Sequence, residues 1–241
     1  MKYLLILIAL FFVQVHAKSA GKIIAEIPEA SGIAHCSDSD TLIVANDEGA
    51  YYEISTEGKI LETIKLGNYD LEGVVCEDSQ MIFAVENKGI LIVERKRGQD
   101  RYVNLYTDFN GKHITLFNKK AGVEGIAKNG NILYLSKQSK KKKNAFIAVV
   151  DLTTNPFSIT DVIEHGIPDT SGLSYHEGYL YMVSDRKDLL VKYDLEKSKK
   201  VLKVKLGEGA WEGIAFDNNG FVYLADDDGR VLKYKTKSLG L

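Results

Sequence analysis

The sequence predicts an all-β fold, a five-bladed β-propeller closed by an N-terminal strand that pairs into the last blade. Three observations predict it. A short Gly-centred motif occurs five times at blade spacing, each copy is followed by the same succession of β-rich runs, and the chain carries an incomplete blade at its end with a matching spare strand at its start.

The motif copies are Ser31-Gly32-Ile33-Ala34, Glu72-Gly73-Val74-Val75, Glu124-Gly125-Ile126-Ala127, Ser171-Gly172-Leu173-Ser174 and Glu212-Gly213-Ile214-Ala215. Their glycines are 41, 52, 47 and 41 residues apart, the length of a four-stranded blade. After each motif comes a second β-rich run: Leu42–Ala45, Met81–Val85, Ile132–Leu135, Leu180–Val183 and Val222–Ala225. Third runs follow at Tyr51–Ile54, Ile90–Val93, Phe146–Val150, Leu189–Tyr193 and Val231–Tyr234. Fourth runs such as Ile60–Ile64 and Val201–Leu206 mix polar with apolar residues, as strands with one wet face do.

The fifth repeat ends at Leu241 after three runs. Gly21–Ile27 copies the register of Gly58–Ile64, so it supplies the missing outer strand and removes an open sheet edge. Two segments depart from the pattern. Lys96–Lys120 reads as a long loop or extra hairpin around Asn110-Gly111, and the lysine-rich Lys137–Lys143 reads as a solvated hairpin tip, with contact to a polyanion or anionic lipid as the alternative.

Residues 1–17 have the layout of a cleavable export signal: Lys2, an apolar run from Leu4 to Val13, then small residues through Ala17. The domain is then 18–241, and the location periplasmic or otherwise exported. Uncleaved, the same segment would serve as an inner-membrane anchor. A formal net charge of -2 with interspersed acids and bases offers no reason to expect a nucleic-acid partner, and a monomer is expected. Cys36 and Cys76 are the only cysteines and fall on adjacent inner strands. A disulfide and two buried thiols both remain open on the sequence alone.

Antiparallel strands put the start of each inner strand and the end of the second at the same rim of the axial channel. The inner starts contribute Ser31, Glu72, Glu124, Ser171 and Glu212; the second-strand ends contribute Asn46, Glu86, Lys137, Asp185 and Asp226. Glutamates converging on one axis repel, and burial raises their pKa unless a cation offsets the charge. Carboxylates and an amide are hard oxygen donors that suit Ca2+, so Glu72, Glu124, Glu212, Asn46, Glu86, Asp185 and Asp226 form the candidate metal set. Internal neutralisation by Lys137 and Arg186 is the competing reading. The scattered histidines contain no ligand-spaced pair for zinc, and no Gly-x-Ser-x-Gly elbow or Ser, His and acid grouping supports nucleophilic catalysis.

Ala30-Ser31-Gly32-Ile33, Asp70-Leu71-Glu72-Gly73-Val74, Thr170-Ser171-Gly172-Leu173 and Trp211-Glu212-Gly213-Ile214 resemble the SdiA-regulated family of bacterial propellers. The resemblance implies a relationship to phytase-like and lactonase-like propellers, an exported or membrane-associated protein, and axial placement of Glu72, Glu124 and Glu212. Two functions are then expected to compete. One is a calcium-binding module of the cell envelope that binds a small molecule or an envelope protein. The other is a metal-dependent phosphoesterase or lactonase using the acidic ring. A metal-free scaffold is a third.

Overall fold

A computed structural model describes residues 14–16, 21–95, 100–117 and 122–241. The apolar core of the expected export signal lies outside the described residues. Of that segment only Gln14–His16 (β1) is described, as a strand running parallel to the outer edge of the fourth blade. Among the described residues no helix is long and apolar enough to cross a membrane.

Lys22–Glu26 (β2) comes next, and then five sheets in chain order. The first blade is Ala30–Cys36 (β3), Thr41–Asn46 (β4), Ala50–Ser55 (β5) and Ile60–Lys65 (β6). The second is Leu71–Cys76 (β7), Gln80–Val85 (β8), Gly89–Glu94 (β9) and Asp100–Val103 (β10). Leu105–Tyr106 (β11) leads to the hairpin of Asp108–Phe109 (β12) and Lys112–His113 (β13). Val123–Asn129 (β14), Ile132–Lys137 (β15), Phe146–Asp151 (β16) and Phe157–Ile163 (β17) make the third blade, with β11 added in parallel to β17. Thr170–His176 (β18), Tyr179–Ser184 (β19), Leu189–Asp194 (β20) and Lys199–Lys205 (β21) make the fourth. Trp211–Phe216 (β22), Phe221–Asp226 (β23) and Arg230–Lys235 (β24) make the fifth, completed by β2 pairing antiparallel with β24. The ring is therefore a five-bladed propeller closed as the spare N-terminal strand requires.

One part of the sequence reading needs correction. The stretch 96–120 was expected to be a loop or extra hairpin, yet β10 within it is the outer strand of the second blade. The Asn110-Gly111 turn does close a hairpin. Asp100–Val103 is only four residues long and opens on two charged ones, so it lacks the apolar alternation of the other outer strands.

The motif glycines are explained by the axis. None of Gly32, Gly73, Gly125, Gly172 and Gly213 has a positive φ; what each requires is room for the next blade. A Cβ on Gly32 would lie 2.3 Å from the Glu72 carbonyl oxygen, on Gly73 2.7 Å from the Ile126 nitrogen, and on Gly125 2.7 Å from the Ser171 carbonyl oxygen. A Cβ on Gly172 would lie 2.6 Å from the Glu212 carbonyl oxygen, and on Gly213 2.8 Å from the Ile33 nitrogen. Each glycine thus lets one inner strand touch the backbone of the next around a closed circuit. Backbone cannot give way as a flexible side chain does, so Gly125→Ala is expected to cost roughly 1–3 kcal/mol or more, as overpacking does. A melting curve checks it, and an unshifted midpoint would refute the close-approach account.

Between the inner strands and β5, β9, β16, β20 and β24 the cores are aliphatic and aromatic, with Leu42, Phe83, Leu133, Tyr181 and Tyr223 fully or almost fully buried. Cys36 and Cys76 form a disulfide across a Cα separation of 5.2 Å, tying the ends of β3 and β7. That decides the alternative left open by the sequence. Tyr51 packs on Phe83 and Trp211 is 2 % exposed, so both serve the core.

Candidate functional site

Every inner strand breaks its register with the second strand at the motif. The shift falls between Ala30 and Gly32, Leu71 and Val74, Val123 and Ile126, Thr170 and Gly172, and Trp211 and Gly213. Such a bulge leaves one residue out of the ladder and re-aims its side chain. In three blades the re-aimed residue is a glutamate. Glu72, Glu124 and Glu212 each offer a carboxylate oxygen, and these oxygens lie within 4.8 Å of one another. Beyond them the channel is lined by the residues after the glycines, among them Ile33, Val74, Ile126, Leu173 and Ile214, around a cavity of about 170 Å3. His35, Lys128, Ser174 and Tyr175 join these aliphatic residues in the lining, so the cavity is polar as well as apolar and is distinct from the three acids.

Burial and mutual repulsion set their proton affinities. Glu72 is held well above the ordinary carboxylate range by burial and by the charges of Glu124 and Glu212, and its carboxyl donates a hydrogen bond to Glu124. Burial pushes Glu124 up to about 7, against the opposing effect of that hydrogen bond. Burial, with Glu124, Asp227, Asp185 and Asp169 adding to it, pushes Glu212 up to about 9. Without a compensating cation, the site keeps protons that free carboxylates would release.

The serine blades behave differently. Ser31 Oγ donates to the Leu71 carbonyl and Ser171 Oγ to the Trp211 carbonyl, both at 2.5 Å, so these hydroxyls stitch one blade to the next. In the second-strand set, Glu86 and Asp185 stand half-buried at the same mouth with pKa values raised chiefly by burial. Asn46 and Asp226 are engaged in turns. Asn46 donates to the Pro28 carbonyl at 2.9 Å and accepts from the Ala50 amide at 3.3 Å. Asp226 accepts from the Ala210 and Asp228 amides at 3.3 and 3.0 Å and pairs with Arg230. Lys137, 6 % exposed, donates to the Leu116 carbonyl at 3.0 Å, and its charge is felt by Glu86. Burial lowers its own pKa while Glu124 and Glu86 oppose that fall. Arg186 is exposed.

Three acids at this mouth were not singled out from the sequence: Glu29, Asp70 and Asp169. Each stands two residues before a motif's Ser or Glu, so the repeat itself carried the signal. Asp70 is hydrogen-bonded to Glu86, and Glu29 to Asp47. Burial first, then Glu29, raises Asp47 to about 7. Asp169 is 5 % exposed, and its Oδ1, like that of Asp47, is buried without a hydrogen-bond partner. Unpartnered buried acceptors among converging carboxylates fit a cation, and the donors are hard oxygens throughout. Three carboxylate oxygens within 4.8 Å of one another leave room for a single ion between them, and oxygen-only donors are the set that Ca2+ takes and that zinc, with its nitrogen and sulfur ligands, does not favour.

A sequence model of the family described as SdiA-regulated matches residues 9–230. No curated protein matches by sequence. Among solved structures, the glutaminyl cyclase of Myxococcus xanthus is similar at a TM-score of 0.63 and 14% identity, over 89% of this chain and 95% of that one. A chain of the mitotic checkpoint complex is similar at a TM-score of 0.51 and 12% identity, over 84% of this chain and 60% of that one. At these identities the likeness concerns the fold.

Proposed function

Since the chain belongs to the SdiA-regulated family, we propose that it is an exported cell-envelope propeller whose acidic axial mouth binds Ca2+ and presents a small-molecule or partner-binding surface. The observation that carries this reading is the convergence of Glu72, Glu124 and Glu212 within 4.8 Å. A buried trio of acids is costly unless it is protonated or offset by a cation. Lys137, a buried cation that interacts electrostatically with Glu124 and Glu86, already donates to a backbone carbonyl. The Cys36–Cys76 disulfide supports export, because disulfides persist in oxidising compartments.

The test is elemental analysis of protein purified without chelator, paired with melting curves. About one Ca2+ per chain is expected, with a midpoint that falls on chelation and recovers with added Ca2+, since a ligand that binds only the folded state stabilises it. Metal-free protein with an unchanged midpoint would sink the reading in favour of the scaffold.

One observation favours a second reading, metal-assisted hydrolysis at the same mouth. Glu124 titrates at about 7 and is hydrogen-bonded to a second acid, the condition of a general base. Metal-dependent turnover of a phosphoester or lactone, abolished in Glu124→Gln without loss of folding, would establish it. Blank screens with the wild-type protein would leave the binding module.

A further inference from the structure

The seam between the second and third blades carries a cavity of about 300 Å3, at the lower end of the range for small-molecule sites. Glu77 and Gln80 in its lining flank the turn from β7 to β8, and Asn131 lies in the turn from β14 to β15. These turns follow the ends of the inner strands, whereas the acids mark their starts. The cavity therefore sits at the opposite end of the propeller from the acidic mouth.

One wall is a cross-strand row of the second blade. Ile82 pairs with Ile92 in the ladder of β8 and β9, and Ile92 pairs with Arg101 in that of β9 and β10. Directly paired residues share a face, so an arginine stands at the outer end of a row that begins with two buried isoleucines. Leu133, Leu152 and Phe157 of the third blade make the facing wall, in the same apolar cluster as Ile82 and Ile92.

The polar groups of the lining fall into two sets. Glu77 accepts from Gln80 at 2.9 Å and from Lys128, so the charges at the inner end offset each other. Arg101 has no such counterpart. Among the described residues its guanidinium makes no hydrogen bond or ion pair, and the side-chain amide of Asn131, across the seam, makes none either. Both side chains are exposed, so their donors stand at the entrance to the hollow. A guanidinium presents its donors as a planar fork that takes a carboxylate through two parallel bonds. One uncompensated cation over aliphatic walls matches one negative charge on an apolar body. A polyanion would bring charges that these walls cannot pair.

We infer that this seam binds a small monocarboxylate with an apolar body, its head on Arg101 and Asn131 and its tail among Ile92, Leu133, Leu152 and Phe157. The site is separate from the cation reading above, because none of its groups belongs to the acidic mouth.

Calorimetric titration with octanoate, acetate and 1-octanol tests this, run in chelator so that no metal at the mouth captures the carboxylate. Octanoate is expected to bind wild type saturably, and acetate, which has the head alone, far more weakly. Arg101→Gln is expected to weaken octanoate about ten- to a hundredfold, the worth of a hydrogen bond to a charged group, and to leave 1-octanol unchanged. Its melting midpoint should equal that of wild type, because the residue is exposed and unpaired among the described residues. The control Lys112→Gln, an exposed cation on β13, should bind octanoate as wild type does. Leu152→Trp, which fills the hollow, is expected to abolish binding of both octanoate and 1-octanol. Wild-type protein that takes up no octanoate overturns the inference, as does undiminished octanoate affinity in Arg101→Gln or in a folded Leu152→Trp. None of these outcomes bears on whether the mouth holds Ca2+.

Discussion

Reduction of the Cys36–Cys76 disulfide is expected to lower the melting midpoint by on the order of 10 °C. The bond closes a segment with a sequence separation of 40, and the chain-entropy model assigns a loop of that length about 4 kcal/mol of constraint on the unfolded state. In a domain of this size each kcal/mol moves the midpoint roughly 2–4 °C. The bond also spans two blades, joining the lower end of β3 to that of β7, so its loss frees the seam between the first and second blades and not a surface loop. Scanning calorimetry with and without a thiol reductant measures the effect, and the Cys36→Ala, Cys76→Ala pair should reproduce it. Equal midpoints for oxidised and reduced protein would mean that the bond contributes nothing to stability.

The metal-stripped protein is expected to lose stability as the pH rises, by about 3 kcal/mol between pH 6.5 and 8.5 from Glu212 alone. The sign follows from its raised pKa. A carboxyl at 4.5 in the unfolded chain and about 9 in the fold keeps its proton only when folded. Stability is therefore greatest below the lower value and is lost as the pH climbs towards the higher one, at roughly 1.4 kcal/mol per pH unit. Glu72 acts in the same direction, and Glu124 and Asp47 act so up to about pH 7. His165 works the opposite way below its ordinary value of 6.5, because burial lowers it to about 4, so the window is set above that point. Denaturant unfolding in chelator at several pH values measures the slope. Glu212→Gln should flatten it, and Ca2+ should remove or reverse it by binding the ionised form. A chelated protein whose stability rises from pH 6.5 to 8.5 would contradict the electrostatics derived for the mouth.

Blade number, strand succession and closure were all legible in the chain, because each is written in local patterns. Short β-rich apolar runs such as Leu42–Ala45, bounded by turn residues, mark strands, and the spacing of Gly32, Gly73, Gly125, Gly172 and Gly213 counts the blades. The spare Gly21–Ile27 strand gave away the closure because an unpaired fourth strand has one compatible partner. β10 was hidden because its exposed residues carry no apolar alternation.

The mouth was legible in outline only. Shared repeat position was enough to bring Glu72, Glu124 and Glu212 to one rim, since propeller geometry alone does that. Repeat position does not say how a side chain is spent. Ser31 and Ser171 bond to the next blade while Asn46 and Asp226 hold turns, although the sequence presents all four as polar substituents of one rim. The bulge at each motif and the left-handed backbone at Glu29 and Asp169 aim these groups.

By itself, then, the sequence determined the repeat, the number of blades and the end of the channel where acids gather, because those follow from periodicity along one chain. Which carboxylates share a proton, which stay unpaired and whether Cys36 meets Cys76 were decided only in the tertiary structure. Those outcomes depend on distances of a few ångströms between strands about 40 residues apart, set by how closely the glycines let neighbouring backbones approach.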